Sequence, residues 1–213
     1  MALIMYLTKA PRYDNTTAKE IMLIEDFLHW RHENKIKSKY SCESFEQWGG
    51  VPESELPDKY TIEHYRQFYT KKSMYVEGIG QETCDSIFDQ LARFVKANQI
   101  FNWFIKNVMN NNIDHEYYEV TENQLKSLLD VCNEVRNGFT LVGTDSYYGD
   151  QYEVNIEVAE KLLPIMEERG YFFGTSNYGR AYVKQIIEVI EVVKNIIETT
   201  DFEKETVYFN AIW

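Results

Sequence analysis

The chain contains few cysteines and none of the sequence signatures of common catalytic sites. Cys42, Cys84 and Cys132 are widely spaced and form no C-x-x-C pair, which argues against a disulfide framework or a zinc site and favours a reducing compartment. P-loop, G-x-S-x-G and dinucleotide-binding motifs are missing, and Gly78-Ile79-Gly80 alone is too short to indicate one. We therefore expect a protein that is not an enzyme and holds no metal or cofactor.

Long apolar runs and positive charge are also scarce. No run of about eighteen uncharged apolar residues exists, and the apolar start at residues 1–7 lacks the basic flank and cleavage site of a signal peptide. The net charge is −12, and almost all of it lies in residues 111–213. Because nucleic-acid phosphates attract Lys and Arg, this acidity disfavours nucleic-acid binding. We expect a cytoplasmic protein with neither a membrane nor a nucleic acid as partner.

Aromatic residues, in contrast, are abundant, with sixteen Tyr, twelve Phe and four Trp. Such residues pack with their rings buried and their hydroxyl groups at the surface, or they line a pocket or a partner surface. Composition alone leaves both interpretations open.

Apolar residues in the stretch Cys84–Met109 recur at alternating spacings of three and four. This periodicity predicts one long, buried helix, in which the amide of Asn98 has to find hydrogen-bond partners. Residues 23–36 repeat the pattern of residues 87–100, either through duplicated helices or by chance.

Helix-start and helix-stop signals define the other predicted elements. Thr17 with Glu20, and Thr121 with Gln124, form capping-box pairs. Gly138 is well placed to end the second of these helices. The predicted helices cover residues 17–37, 121–138 and 179–199, and the predicted strands cover residues 3–7 and 206–212, the latter at the edge of the same sheet.

These patterns together predict an α+β fold in the form of a mostly helical single domain over residues 1–213. It would have three or four long helices and a small sheet. An alternative division places an N-terminal subregion, residues 1–80, against a helical core of residues 81–213.

Short motifs are spread over nearly the whole chain. They are MALIMYL (1–7), PRY (11–13), FEQWGG (45–50), EHYRQFY (63–69), KANQI (96–100), NWF (102–104), LLP (162–164), FFG (172–174), TTDF (199–202) and the final Trp213. As a set, they resemble a family of uncharacterised proteins of tailed phages and prophage-bearing bacteria. The resemblance implies a phage or mobile-element origin and a cytoplasmic setting, and it carries no activity. The chain departs from the family pattern at Phe94-Val95, Phe101 and Gly179-Arg180.

The strongest candidate binding segment is residues 171–179, where aromatic residues, a glycine and small polar residues precede a predicted helix. The N–H groups and the positive end of a helix dipole favour a phosphate or a carboxylate there. Aromatic rings in this segment can stack on a base. Alternatively, Thr175, Ser176 and Asn177 serve only as helix caps.

A basic run at residues 31–40 lies beside Trp30 and Asn34 and is either an anion contact at an aromatic pocket or a solvated helix face. A metal site at Glu25, His29 and Glu33 is sterically possible, but ion pairs on the helix surface are the preferred interpretation of these residues. The predicted ligand-binding residues are Trp30, Arg31, Asn34, Lys35, Lys96, Asn98, Trp103, Phe172, Phe173, Gly174, Thr175, Ser176 and Tyr178.

We expect a phage accessory protein that binds a small nucleotide-like anion and sequesters a host defence signal in the host cytoplasm, with a homo-oligomer as one form of assembly. Two alternatives stay open. One is a protein-level inhibitor whose acidic surface, including Glu153, Glu157 and Glu160, docks on a host protein. The other is a carboxylate- or metal-dependent hydrolase.

Overall fold

A computed structural model describes residues 2–13, 15–37, 56–76, 79–147, 149–166 and 172–213. The FEQWGG motif (45–50) lies outside the described residues. The helices are Ala18–Lys37 (α1), Lys59–Arg66 (α2), Asn98–Asn107 (α3), Glu122–Asn137 (α4), Ile156–Leu162 (α5) and Arg180–Thr199 (α6). The strands are Ile4–Pro11 (β1), Thr70–Val76 (β2), Gly80–Ser86 (β3), Asp89–Val95 (β4), Tyr118–Val120 (β5), Phe139–Asp145 (β6), Gly149–Val154 (β7) and Glu205–Ile212 (β8).

The described strands form three sheets. The largest has four strands in the order β4-β1-β8-β5, and the other two are the antiparallel hairpins β2-β3 and β6-β7. β8 pairs with β5 in antiparallel register, Tyr118 opposite Phe209. The predicted edge position of β8 is wrong, because β8 has a neighbour on each side. Its residues Thr206–Ala211 are all buried.

The predicted fold class, a mostly helical domain with three or four long helices, is also wrong. Helices account for 44% and strands for 28% of the described residues. The stretch that was expected to form the long central helix contains parts of β3, all of β4 and only the ten residues of α3. The molecule is therefore an α+β protein in which strands replace the first half of the predicted central helix, Cys84–Met109.

The error lies in the period of the apolar pattern between residues 84 and 97. In β4, buried Ala92 and Phe94 alternate with exposed Arg93 and Val95, which is the two-residue period of a strand with one buried face. Lys96 then has a φ of +57°, which no regular helix allows. Residues 87–100 thus form a turn, a strand and the start of a helix, whereas residues 23–36 are helical throughout, so their sequence similarity reflects no shared structure.

The predicted helix ends are confirmed. Thr17 accepts a hydrogen bond from the backbone N–H of Glu20, whose carboxylate in turn accepts from Thr17. Thr121 and Gln124 form the complete capping box of α4. Gly138 is the C-cap of this helix. These signals depend on residues within one turn of each other, so the local sequence is sufficient to specify them.

The described residues divide into two compact units. The first unit comprises Met1–Leu7, Leu91–Phe202 and Val207–Trp213, and the second comprises Thr8–Gln90 and Glu203–Thr206. β1, β4 and β8 each contribute residues to both.

The core of the first unit contains residues of β1, β4, α3, α4, α6 and β8. The rings of Phe104 and Phe209 stack there with their centroids 3.9 Å apart. The hydroxyl group of Tyr182 donates a hydrogen bond to the carbonyl oxygen of Leu163 at 3.1 Å. Burial raises the pKa of Tyr182 well above its ordinary value, so this residue stays a neutral donor in the core.

The core of the second unit is built on one face of α1. Ile21, Ile24 and Leu28 are almost completely buried there. Tyr65 of α2 is buried as well, and its hydroxyl group donates to the carbonyl oxygen of Pro11 at 2.8 Å. Every helix in the described ranges is too short or too polar to cross a bilayer.

Candidate functional site

The aromatic part of the predicted binding segment is divided between the core and the surface. Phe173 is 8% exposed, and its ring centroid lies 6.2 Å from that of Phe101 and 6.0 Å from that of Trp213. Phe172 is 62% exposed, and its carbonyl oxygen accepts a hydrogen bond from the backbone N–H of Leu3. Phe173 therefore contributes to folding, whereas the side chain of Phe172 is largely exposed to solvent.

Gly174 and Asn98 attach this segment to the start of α3. A Cβ atom at Gly174 would lie 2.0 Å from the carbonyl oxygen of Lys96, so only glycine allows this close approach of the two backbones. The side chain of Asn98 donates from Nδ2 to the carbonyl oxygen of Thr175 at 3.1 Å. Its Oδ1 accepts from the backbone N–H of Met166 at 3.3 Å. The predicted partners of the buried Asn98 amide are thus provided by two loops.

The small polar residues ahead of α6 bond mainly to each other. The Thr175 hydroxyl donates to the carbonyl oxygen of Asn177 at 2.8 Å and accepts from the backbone N–H of Asn177 at 3.2 Å. The N-cap of α6 is Gly179, which has no side chain to cap the helix. Tyr178 accepts a hydrogen bond from the backbone N–H of Ile165, and Ser176 is exposed. Most hydrogen-bonding groups of this segment are therefore used to hold its own turn.

Two other residues of the first unit that were predicted to bind ligand, Trp103 and Lys96, make contacts within the fold. Trp103 is buried, and its ring packs edge-on against Phe104 at 5.3 Å. The carbonyl oxygen of Lys96 accepts from Gln185 Nε2 at 3.0 Å. The structure thus brings Lys96, Asn98 and residues 172–178 together, and it places Trp103 in the core.

The four predicted residues on α1 belong to the second unit. The ring of Trp30 stacks near that of Phe27, with a centroid distance of 6.1 Å. Arg31 forms an ion pair with Asp85 at 2.9 Å and lies 5.7 Å from the centre of the Phe27 ring. Asn34 donates to the carbonyl oxygen of Trp30, and Lys35 is exposed. Arg31 thus already has a carboxylate partner, and the predicted residues are divided between two units.

Glu25 is a buried carboxylate of α1 with several donors around it. Its Oε1 accepts from Ser86 Oγ at 2.7 Å and lies 3.1 Å from His29 Nε2 and 3.5 Å from Lys72 Nζ. Its Oε2 accepts from the backbone N–H of Ile87 at 2.8 Å. Burial opposes ionisation, but the donors outweigh it and hold the pKa of Glu25 below its ordinary value.

These contacts anchor α1 to the turn between β3 and β4, so Glu25 is occupied by structural partners. Across the described part of the chain, no group of three or more His, Cys, Asp or Glu residues is placed to hold a metal ion. The arrangement gives no support to a metal site at Glu25, His29 and Glu33.

A cleft of about 610 Å³ lies within the second unit. The end of β1 (9–11), residues 70–73 of β2, and residues 87–90 at the start of β4 line it, together with Phe68 and Glu205. Clefts of roughly 300–1,000 Å³ are typical of small-molecule sites. Phe68 is 37% exposed, and its ring centroid lies 5.1 Å from that of His64.

The charges around the cleft come from three lysines and a few carboxylates. Lys9 pairs with Glu205 at 2.7 Å. Lys71 pairs with Asp85, and the side chain of Lys71 is 69% exposed. Lys72 reaches Glu25 only at 3.5 Å. Lys71 and Lys72 are consecutive residues of β2, so their side chains leave opposite faces of the strand, and both residues belong to the cleft lining.

Sequence reasoning missed this cleft because its walls come from four separate stretches of the chain. The available signal was the pair Lys71-Lys72 shortly after Phe68, an aromatic residue followed by adjacent cations.

Comparison with known proteins found no match: no protein-family model, no curated protein and no solved structure resembles the chain closely enough to indicate its function.

Proposed function

We propose that the protein binds a small nucleotide-like anion in the cleft of the second unit. The observation that carries the proposal is that one cleft of about 610 Å³ is lined by Phe68, an exposed aromatic residue, together with Lys71 and Lys72. Amino groups are suited to phosphate oxygens, and an aromatic ring is suited to the face of a base.

The lysines support an anion because their present partners leave capacity for further contacts. An ammonium group has three donors, and a single contact at 3.5 Å to Glu25 uses little of the capacity of Lys72. The mostly exposed Lys71 can keep Asp85 at one side while it donates to a phosphate. Lys9, paired with Glu205, adds a third cation at the same cleft.

The role that we propose is retention of the ligand rather than its conversion. The resemblance to phage and prophage proteins supports an accessory function in a bacterial host, in which the protein sequesters a nucleotide signal in the cytoplasm. In this proposal, the segment at residues 172–178 serves folding, since Phe173 and Gly174 are committed to internal packing.

Isothermal titration with a panel of linear and cyclic nucleotides tests the proposal. Phe68→Ala removes a stacking surface and Lys71→Ala a phosphate donor, and each should weaken binding by about tenfold, or about 1.4 kcal/mol. Lys35→Ala is the matched control, because Lys35 is an exposed lysine of the same unit outside the cleft lining. Phe172→Ala tests the alternative site in the first unit.

If no nucleotide releases heat, the proposal is wrong. It is also wrong if Lys35→Ala weakens binding as much as the two cleft variants do. A loss confined to Phe172→Ala would place the site at the segment ahead of α6 instead.

A further inference from the structure

The β6-β7 hairpin exposes several large apolar side chains. Leu141 and Val142 occupy consecutive positions of β6 and are 55% and 54% exposed. Residues 140–144 of β6 and 149–151 of β7 are all exposed, so neither face of this part of the hairpin is covered. Tyr147, near the tip of the hairpin, is 84% exposed. The base of the hairpin is different, since Phe139 and Val154 pack against the core of the first unit.

The hairpin also has backbone edges that no described strand covers. Its sheet contains only β6 and β7, paired from Phe139 opposite Val154 to Asp145 opposite Gly149. A register shift between Leu141 and Gly143 interrupts the regular pairing. Strand edges with free N–H and C=O groups are templates for an added strand, and two-stranded ribbons gain stability from a third strand.

The charge of the hairpin has one sign. Asp145, Asp150 and Glu153 lie on it, and the sequence contains no Lys or Arg between Arg136 and Lys161. A second copy would bring like charges together along the two edges, and nucleic-acid phosphates or anionic lipids would be repelled in the same way. A basic segment with apolar residues complements both the charge and the exposed side chains.

We propose that the β6-β7 hairpin is a docking surface for a partner protein, which adds an extended segment of alternating basic and apolar residues as a third strand. Backbone hydrogen bonds to the free edge hold the segment. Its apolar side chains cover Leu141 or Val142, and its lysines or arginines lie near the hairpin carboxylates. This mode of recognition is β-strand addition, and it is independent of the cleft in the second unit.

A library of short synthetic peptides tests the proposal, with alternate positions randomised among Lys, Arg, Glu, Val, Leu and Thr. Immobilised full-length protein should enrich peptides that combine Lys or Arg with Val or Leu. Their addition should shift the backbone amide resonances of β6 or β7 in NMR spectra. Binding of the enriched peptides should weaken as salt is raised.

A variant on the β2-β3 hairpin provides the control for two variants on the β6-β7 hairpin. The double variant Leu141→Thr/Val142→Thr keeps strand propensity and removes apolar contact, and Glu153→Lys reverses one charge. Each should weaken peptide binding by about tenfold. Tyr75→Thr makes a comparable change at a 67% exposed side chain of the β2-β3 hairpin, which carries Lys71 and Lys72. It should leave binding unchanged.

Three results would overturn the proposal: no enrichment of any peptide, enrichment of acidic peptides, or equal effects of the Tyr75 and Leu141/Val142 variants. Self-association that the Leu141/Val142 variant abolishes would assign the surface to a second copy and would likewise reject a basic partner.

Discussion

Replacing Gly174 by alanine tests how closely the segment ahead of α6 approaches the start of α3. The residue has a φ of +145°, which side chains other than hydrogen rarely allow. An added Cβ would also lie 2.0 Å from the carbonyl oxygen of Lys96 and 2.9 Å from its carbonyl carbon. Because both atoms belong to the backbone, either the segment or the end of β4 has to move.

The cost of this substitution has two parts. Holding a non-glycine residue in a sparsely populated backbone region costs about 1–3 kcal/mol. Moving the segment away from α3 breaks the hydrogen bond from Asn98 to the carbonyl oxygen of Thr175, and unsatisfied buried groups cost about 1–3 kcal/mol. We therefore expect Gly174→Ala to lower the free energy of unfolding by about 2–6 kcal/mol, a large part of the 5–15 kcal/mol typical of a domain.

Two glycines of the same unit separate these parts. Gly149 has a φ of +73° and no heavy atom within 4 Å of an added Cβ, so alanine there should cost about 1–2 kcal/mol from backbone conformation alone. An added Cβ at Gly143 would also have no heavy atom within 4 Å, and the φ of Gly143 does not lie in the region that favours glycine. Gly143→Ala should therefore change the free energy of unfolding by no more than about 0.5 kcal/mol. Urea unfolding followed by tryptophan fluorescence measures all three variants. If Gly174→Ala costs no more than Gly149→Ala, the close approach to Lys96 has no energetic consequence and the reasoning is refuted.

Three further outcomes follow from burial and charge. Phe173→Ala removes a buried ring and should lower the free energy of unfolding by about 3–5 kcal/mol, as measured by chemical denaturation. Phe172→Ala should lower it by less than about 1 kcal/mol because Phe172 is exposed. Equal losses for the two variants would contradict the assigned burial. The folded-state pKa of Glu25 is below its ordinary value, so the ionised group stabilises the fold at neutral pH and this contribution is lost as the pH falls through the folded pKa. The stability advantage of wild type over Glu25→Gln should shrink on acidification, and an advantage that stays constant with pH would contradict this reasoning. Burial raises the pKa of Cys132 to about 12. A thiol-alkylating reagent at mildly alkaline pH should therefore leave Cys132 unlabelled until urea unfolds the protein, and peptide mapping measures this labelling.

Local patterns were sufficient to predict several element ends and one buried polar group. The capping boxes at Thr17 and Thr121 are confirmed. The sequence could predict them because their hydrogen bonds form within a single turn. The need of Asn98 for partners is confirmed for a similar reason, since a buried amide without them carries a high free-energy cost.

Tertiary structure alone decided the rest of the fold. Whether Cys84–Val95 forms strands or a helix depends on which neighbours cover its residues, because the apolar spacing fits both periods over so short a stretch. β8 is an interior strand only because β1 and β5 lie on either side of it, and both are far from it in sequence.

The candidate site shows the same division between local and long-range information. The sequence by itself determined that residues 171–179 contain turn-forming and aromatic side chains, but the buried position of Phe173 and the contact of Gly174 with Lys96 depend on packing across the first unit. The cleft of the second unit could not be read from the sequence, because Phe68, Lys71 and residues 87–90 become its walls only when the chain folds. Local sequence determines where hydrogen-bonded turns begin and end, whereas long-range packing decides which side chains are left to meet a ligand.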